Sequence, residues 1–114
     1  MSAIPTGADL IAAERRRQIE VEGWTSKHDR EHGATRLSQA ADCYAGYVTR
    51  WPWEPAAFKP KGPLRNLIRA GALYQAAADA CDPQDDRTET LFELRNETAA
   101  RVDVLLAEVA EVLA

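Results

Sequence analysis

The sequence predicts an all-α protein, a small bundle of about four helices that ends in a long C-terminal helix. Two observations carry this. Apolar residues recur at spacings of three and four through each long segment, and no segment shows the strict alternation of a half-buried strand. A third is punctuation: Gly and Pro fall where the periodic segments stop. At 114 residues the chain is expected to form one domain, residues 1–114.

The first helix is expected from about Ala8 to Glu22, with Thr6 as N-cap and Gly23 as its stop. Its apolar residues are sparse (Leu10, Ile11, Ile19, Val21), which predicts a surface helix with one thin buried edge. A short turn of helix is expected after Thr25, ending at Gly33. The second helix is read from near Thr35 to about Thr49, because Leu37, Ala40, Ala41, Tyr44, Tyr47 and Val48 keep helical spacing. The run WPWEPAAFKPKGP then breaks the pattern and makes the main loop. Pro63 suits the first turn of a third helix reaching about Cys81, with a seam of mostly small residues along it. Asp82-Pro83 ends that helix. The fourth starts near Asp86 or Arg87 and runs toward the C-terminus, with Phe92, Ala99, Leu106 and Leu113 repeating every seven residues. So wide an apolar face predicts self-association.

A net charge of −4 argues against non-specific binding to a nucleic-acid backbone. No apolar run approaches the ~20 residues of a membrane span, and the N-terminus has no signal-peptide pattern, so the cytoplasm is the expected location. Cys43 and Cys81 share no ligand spacing and read as reduced, small core residues.

Chemistry concentrates in ERRRQIEVEGWTSKHDREH, residues 14–32, which mixes acids, arginines and both histidines around a Gly-Trp pair. His28 and His32 are four apart with Asp29 between them. The pattern suits two metal ligands on one helix face, and equally a solvated polar turn. Arg15 and Arg17 suit phosphate or carboxylate contacts, while the i,i+4 pairs Glu14/Gln18 and Arg16/Glu20 also read as an exposed, charge-stabilised helix. In the loop, Trp53 with Trp51, Phe58, Lys59 and Lys61 reads either as a wall against a base or partner, or as a lid over the core. Trp24 has the same two readings. Asp79 and Asp82, three apart near the end of the third helix, are spaced to hold Mg²⁺ together with phosphate oxygens.

These blocks, followed by LSQAADCYAGY and WPWEPAAFKPKGPLRNLIRAGALYQAAADACD, resemble a family of small bacteriophage and prophage proteins. Its members read ER-x-RQ, EGW-T, HD and H, then a WPW-to-KP loop and an R-x-L-x-KA-x-AL helix. The likeness spans roughly residues 10 to 82 within an 8–82 helical core, leaving 84–114 as an added helix. The pattern is also similar, more remotely, to the MazG-like all-α nucleoside triphosphate pyrophosphohydrolases, helical-bundle oligomers that bind Mg²⁺ through carboxylate pairs.

That resemblance implies Mg²⁺-dependent release of pyrophosphate from a nucleoside triphosphate. Asp79 and Asp82 would hold the metal with Glu14 or Asp29, Arg15, Arg17 or Lys61 would meet phosphate, and Trp24 or Trp53 would stack on the base. Arg36 and Ala77 stand where the family has glutamates, so half the carboxylate set is absent. The alternative is a non-enzymatic phage accessory protein that inhibits a host defence system by binding a host protein or a signalling nucleotide.

Overall fold

The computed structural model describes residues 4–25, 27, 29–30, 33–47 and 49–113. Their regular structure is entirely helical: α1 (Gly7–Glu20), α2 (Ala34–Ala45), a 3₁₀ turn (Pro55–Ala57), α3 (Pro63–Ala80) and α4 (Arg87–Leu113). The all-α bundle with a long C-terminal helix is therefore what the chain forms. His28 and His32, with Ser26 and Glu31, lie outside the described residues. Among the described helices none is long and apolar enough to cross a membrane.

α1 begins as expected. Thr6 accepts the Asp9 amide through its hydroxyl, and Asp9 accepts the Thr6 amide in return, closing a capping box. Those hydrogen bonds, the backbone one first, hold the Asp9 carboxyl below its ordinary range. The Gly7 amide donates to Asp103 of α4 at 2.6 Å, which ties the start of α1 to the last helix. The helix stops two residues before the expected Glu22.

The thin buried edge of α1 is present, but its composition differs from the apolar marks. Gly7, Ile11, Arg15 and Gln18 are buried, whereas Ile19 and Val21 are exposed. Spacings of four, four and three put the buried four on one face. Ile19 and Val21 point elsewhere, and two polar residues take the inward positions.

α2 ends earlier than Thr49. Gly46 adopts φ 92°, its amide donates to the Cys43 carbonyl, and the Tyr47 amide donates to the Asp42 carbonyl. This is a Schellman closure, and the left-handed residue in it favours glycine. Tyr47 sits at helical spacing yet is exposed beyond the cap.

α3 is the central rod, packed against α1, α2 and α4. Leu67, Leu73 and Tyr74 are buried together with a run of alanines from Ala70 to Ala78. The small residues permit close approach. A Cβ at Gly71 would lie 2.3 Å from Ile11 Cδ1 and 2.6 Å from Ile11 Cγ1, so a larger residue there would force the Ile11 side chain to shift.

On α4 the inward face is Leu91, Thr98 and Val102. The expected heptad of Phe92, Ala99, Leu106 and Leu113 is only half-buried at its first three members, and Leu113 is exposed. Thr98 hides the true stripe from a hydrophobicity pattern. Its hydroxyl donates to the Leu94 carbonyl at 2.7 Å and can therefore be buried without loss. Val104, Val109, Val112 and Leu113 remain exposed at the far end.

Candidate functional site

Two adjoining features gather the charged and aromatic residues, and the chain around Trp24 joins them. Gly23 turns the chain sharply with φ 75° after α1, a backbone that favours glycine. The turn folds Trp24 back over the helix it has just left. Its amide donates to the Gln18 carbonyl at 2.9 Å, and its carbonyl accepts Arg15 Nη1 at 3.1 Å. The backbone of Trp24 is thus clamped at both ends by the buried edge of α1.

The first feature is an ion network centred on Arg15, which is 5% exposed. Its Nη2 donates to Asp29 Oδ2, and Asp29 is completely buried. Its Nε lies 3.5 Å from Asp79 Oδ2 on α3. Asp79 also accepts Gln75 Nε2 at 2.8 Å. One guanidinium therefore joins α1, the segment after Trp24 and the end of α3. The Asp29 amide donates to Thr25 and its carbonyl accepts Gly33, both at 2.9 Å, so the aspartate sits on one turn of helix.

The second feature is a cavity of about 390 Å³. Trp24, Trp51, Trp53 and Tyr44 supply aromatic walls, Leu37 and Leu73 an apolar base, and Arg17, Lys59 and Arg69 the cations. Trp51 meets Tyr44 edge-on at 5.6 Å and Trp53 at 5.4 Å, and Phe58 lies 4.8 Å from Trp51. Trp51 and Trp53 pack on the core, and the same rings wall the cavity.

Tyr44 fixes the cationic side. Its hydroxyl accepts the Lys59 amide at 3.1 Å and Arg69 Nη1 at 3.3 Å, and the Arg69 guanidinium lies 5.2 Å from its ring centroid. Arg17 is bound differently: it grips Glu14 through Nε and Nη2 and reaches Glu22 at 2.8 Å. The Glu14 bond first, then Glu22, pushes its pKa up and keeps it charged. Lys59 and Arg69 have no carboxylate partner among the described residues.

The remaining residues singled out in the sequence scatter. Glu14 faces Arg17 beside α1. Lys61 caps through its backbone, its amide donating to Asn66 Oδ1 at 2.7 Å; Lys59, two residues earlier, is the lysine at the cavity. Asp82 sits exposed in the turn after α3, where its carbonyl accepts the Asp85 amide. Asp42 accepts the buried Tyr74 hydroxyl. Burial, and then that carboxylate, push the Tyr74 phenol well up.

Among the described residues no group of three or more His, Cys, Asp or Glu side chains is placed to hold a metal ion. Asp29 and Asp79 face Arg15, Glu14 faces Arg17, and Asp82 stands exposed in the turn after α3.

Sequence reasoning missed Gln18 as a cavity residue. Gln18 follows Arg17 in the ER-x-RQ block, and its place on the Gly7-Ile11-Arg15 face was the available signal. Comparison with known proteins finds no matching family model, no matching curated protein and no matching solved structure.

Proposed function

We propose that this chain binds a nucleotide in the tryptophan-walled cavity. One observation carries the reading: four aromatic walls and two cations without a carboxylate partner among the described residues line a single cavity. Stacking on aromatic faces suits a base, and each such contact contributes about 1–3 kcal/mol. Lys59 and Arg69 suit a phosphate. At 390 Å³ the cavity falls in the range of small-ligand sites, about 300–1,000 Å³, and toward its lower end. Binding without turnover is the version the geometry favours, because Arg15 occupies Asp29 and Asp79. It accords with an accessory protein that sequesters a signalling nucleotide. Pyrophosphohydrolysis, which the MazG-like resemblance implies, is the competing outcome.

A nucleotide panel separates them. Each nucleoside mono- and triphosphate is expected to raise the melting temperature, and Trp53→Ala is expected to weaken binding about 10- to 100-fold. Pyrophosphate release from a triphosphate with Mg²⁺ would restore the enzymatic reading. No thermal shift with any nucleotide would end the nucleotide reading and leave a protein partner.

Self-association is proposed for the exposed apolar end of α4. Val109→Glu with Val112→Glu is expected to lower the mass per particle in light scattering. An unchanged mass would remove this face from any interface.

A further inference from the structure

The cavity does not end at its cations. A groove of about 290 Å³ adjoins it between α1 and α3, lined by Leu10, Glu14, Arg65 and Ile68. Arg17 and Arg69 line both spaces, so the groove opens off the cationic side of the cavity. Glu14 is the acid in the groove, and it is bound to Arg17. Arg65 is exposed, and neither it nor Arg69 has a carboxylate partner among the described residues.

In a chain of net charge −4 this is a local concentration of positive charge, and it costs stability while the groove is empty. Arg65 and Arg69 are four apart on α3, a spacing at which like charges repel. Arg65 also stands in the first turn of that helix, which carries no acid, and a cation there opposes the helix dipole. Arg69 is pinned at the junction, its Nη1 donating to the Tyr44 hydroxyl at 3.3 Å and to the Lys59 carbonyl at 3.2 Å. An anion between the two arginines offsets both penalties.

We infer that the ligand carries a second anionic group, which passes Arg69 and is held in the groove by Arg65. The inference rests on the nucleotide reading above and narrows its class to a nucleoside diphosphate or longer, in preference to a monophosphate. With the first phosphate at Lys59 and Arg69, the next along the chain meets the groove. A guanidinium binds two phosphate oxygens at once, so two of them in line can follow a phosphate chain. Selection here is by the number of phosphates, whichever base the cavity takes.

Calorimetric titration of the whole chain with the pairs AMP and ADP, GMP and GDP tests this. A chelating buffer keeps divalent cations from bridging phosphate to protein. Each diphosphate that binds is expected to do so about tenfold tighter than its monophosphate. Arg65→Gln is expected to lower diphosphate affinity about tenfold and monophosphate affinity less than about twofold. Arg16→Gln removes the same charge from α1 outside both spaces and is expected to change neither. Equal wild-type affinity for mono- and diphosphate overturns the inference and leaves nucleotide binding standing. So does a loss in Arg65→Gln that is the same for both, or one that Arg16→Gln reproduces. Failure of all four nucleotides to bind removes both readings together. The wild-type ratio of diphosphate to monophosphate affinity decides the matter even if a variant does not fold.

Discussion

Arg15→Met is expected to lower the stability of the protein by about 3–5 kcal/mol, the usual consequence of stranding one partner of a buried ion pair. Asp29 is completely buried, and the Arg15 guanidinium is one of its partners. Removing that cation leaves the carboxylate in a medium that solvates charge poorly. The same change frees the Trp24 carbonyl and loosens Asp79 at the end of α3. Arg15→Met combined with Asp29→Asn is expected to recover part of the loss, because a neutral amide is less costly to bury than a carboxylate that has lost its guanidinium. Urea unfolding of the two variants provides the check. A shift below about 1 kcal/mol in Arg15→Met would mean that solvent reaches Asp29 and that the network contributes little.

Tyr44→Ala is expected to cost about 3–5 kcal/mol, in the range seen when a buried aromatic ring is deleted. The ring sits between Trp51, 5.6 Å away, and Phe58, 5.1 Å away, so its loss opens a void beneath the loop. Tyr44→Phe isolates the hydroxyl. It removes the acceptor of the Lys59 amide and of Arg69, and about 0.5–1.5 kcal/mol is expected to go with it. The two variants should also differ in function. Tyr44→Phe keeps the aromatic wall while releasing the cations, so nucleotide affinity is expected to fall chiefly for phosphorylated ligands, with free nucleosides little changed. Equal losses for nucleoside and nucleotide would show that Lys59 and Arg69 do not meet the phosphate.

The pairing of Arg15 bears on the chemistry. A carboxylate that holds Mg²⁺ must offer its lone pairs to the metal, and at least one oxygen of both Asp29 and Asp79 is directed at a guanidinium. The cations near the cavity divide in the same way. Arg17 is committed to Glu14 and Glu22, which leaves Lys59 and Arg69 as the pair able to take an anion without displacing a carboxylate. Phosphate recognition is therefore expected on the α3 side of the cavity rather than along α1.

Helix identity and most helix ends were legible in the chain itself. Thr6 with Asp9, Pro63 at the first turn of α3 and the start of α4 all follow from local hydrogen bonding that neighbours in sequence supply. The end of α2 was legible too, in Gly46, although apolar spacing at Tyr47 argued for continuing. What local pattern could not reveal was which polar residues turn inward. Hydrophobic periodicity marked Ile11, which is buried, but also Ile19 and Val21, which are exposed, while Arg15 and Gln18 are buried beside Ile11. Thr98 on α4 is a milder case, satisfied by a carbonyl of its own helix.

The amino-acid sequence by itself determined the helices, most of their ends and the small-residue seam along α3, because these depend on short-range geometry and on small side chains that any neighbour can pack against. Only the tertiary structure decided the site. Arg15 can be buried because Asp29 and Asp79 arrive from two other segments, and the cavity exists because α1, Trp24, α2, the tryptophan loop and α3 each contribute a wall. Burial of a charge or a carboxamide depends on partners distant in the chain, and their meeting is a property of packing rather than of sequence spacing.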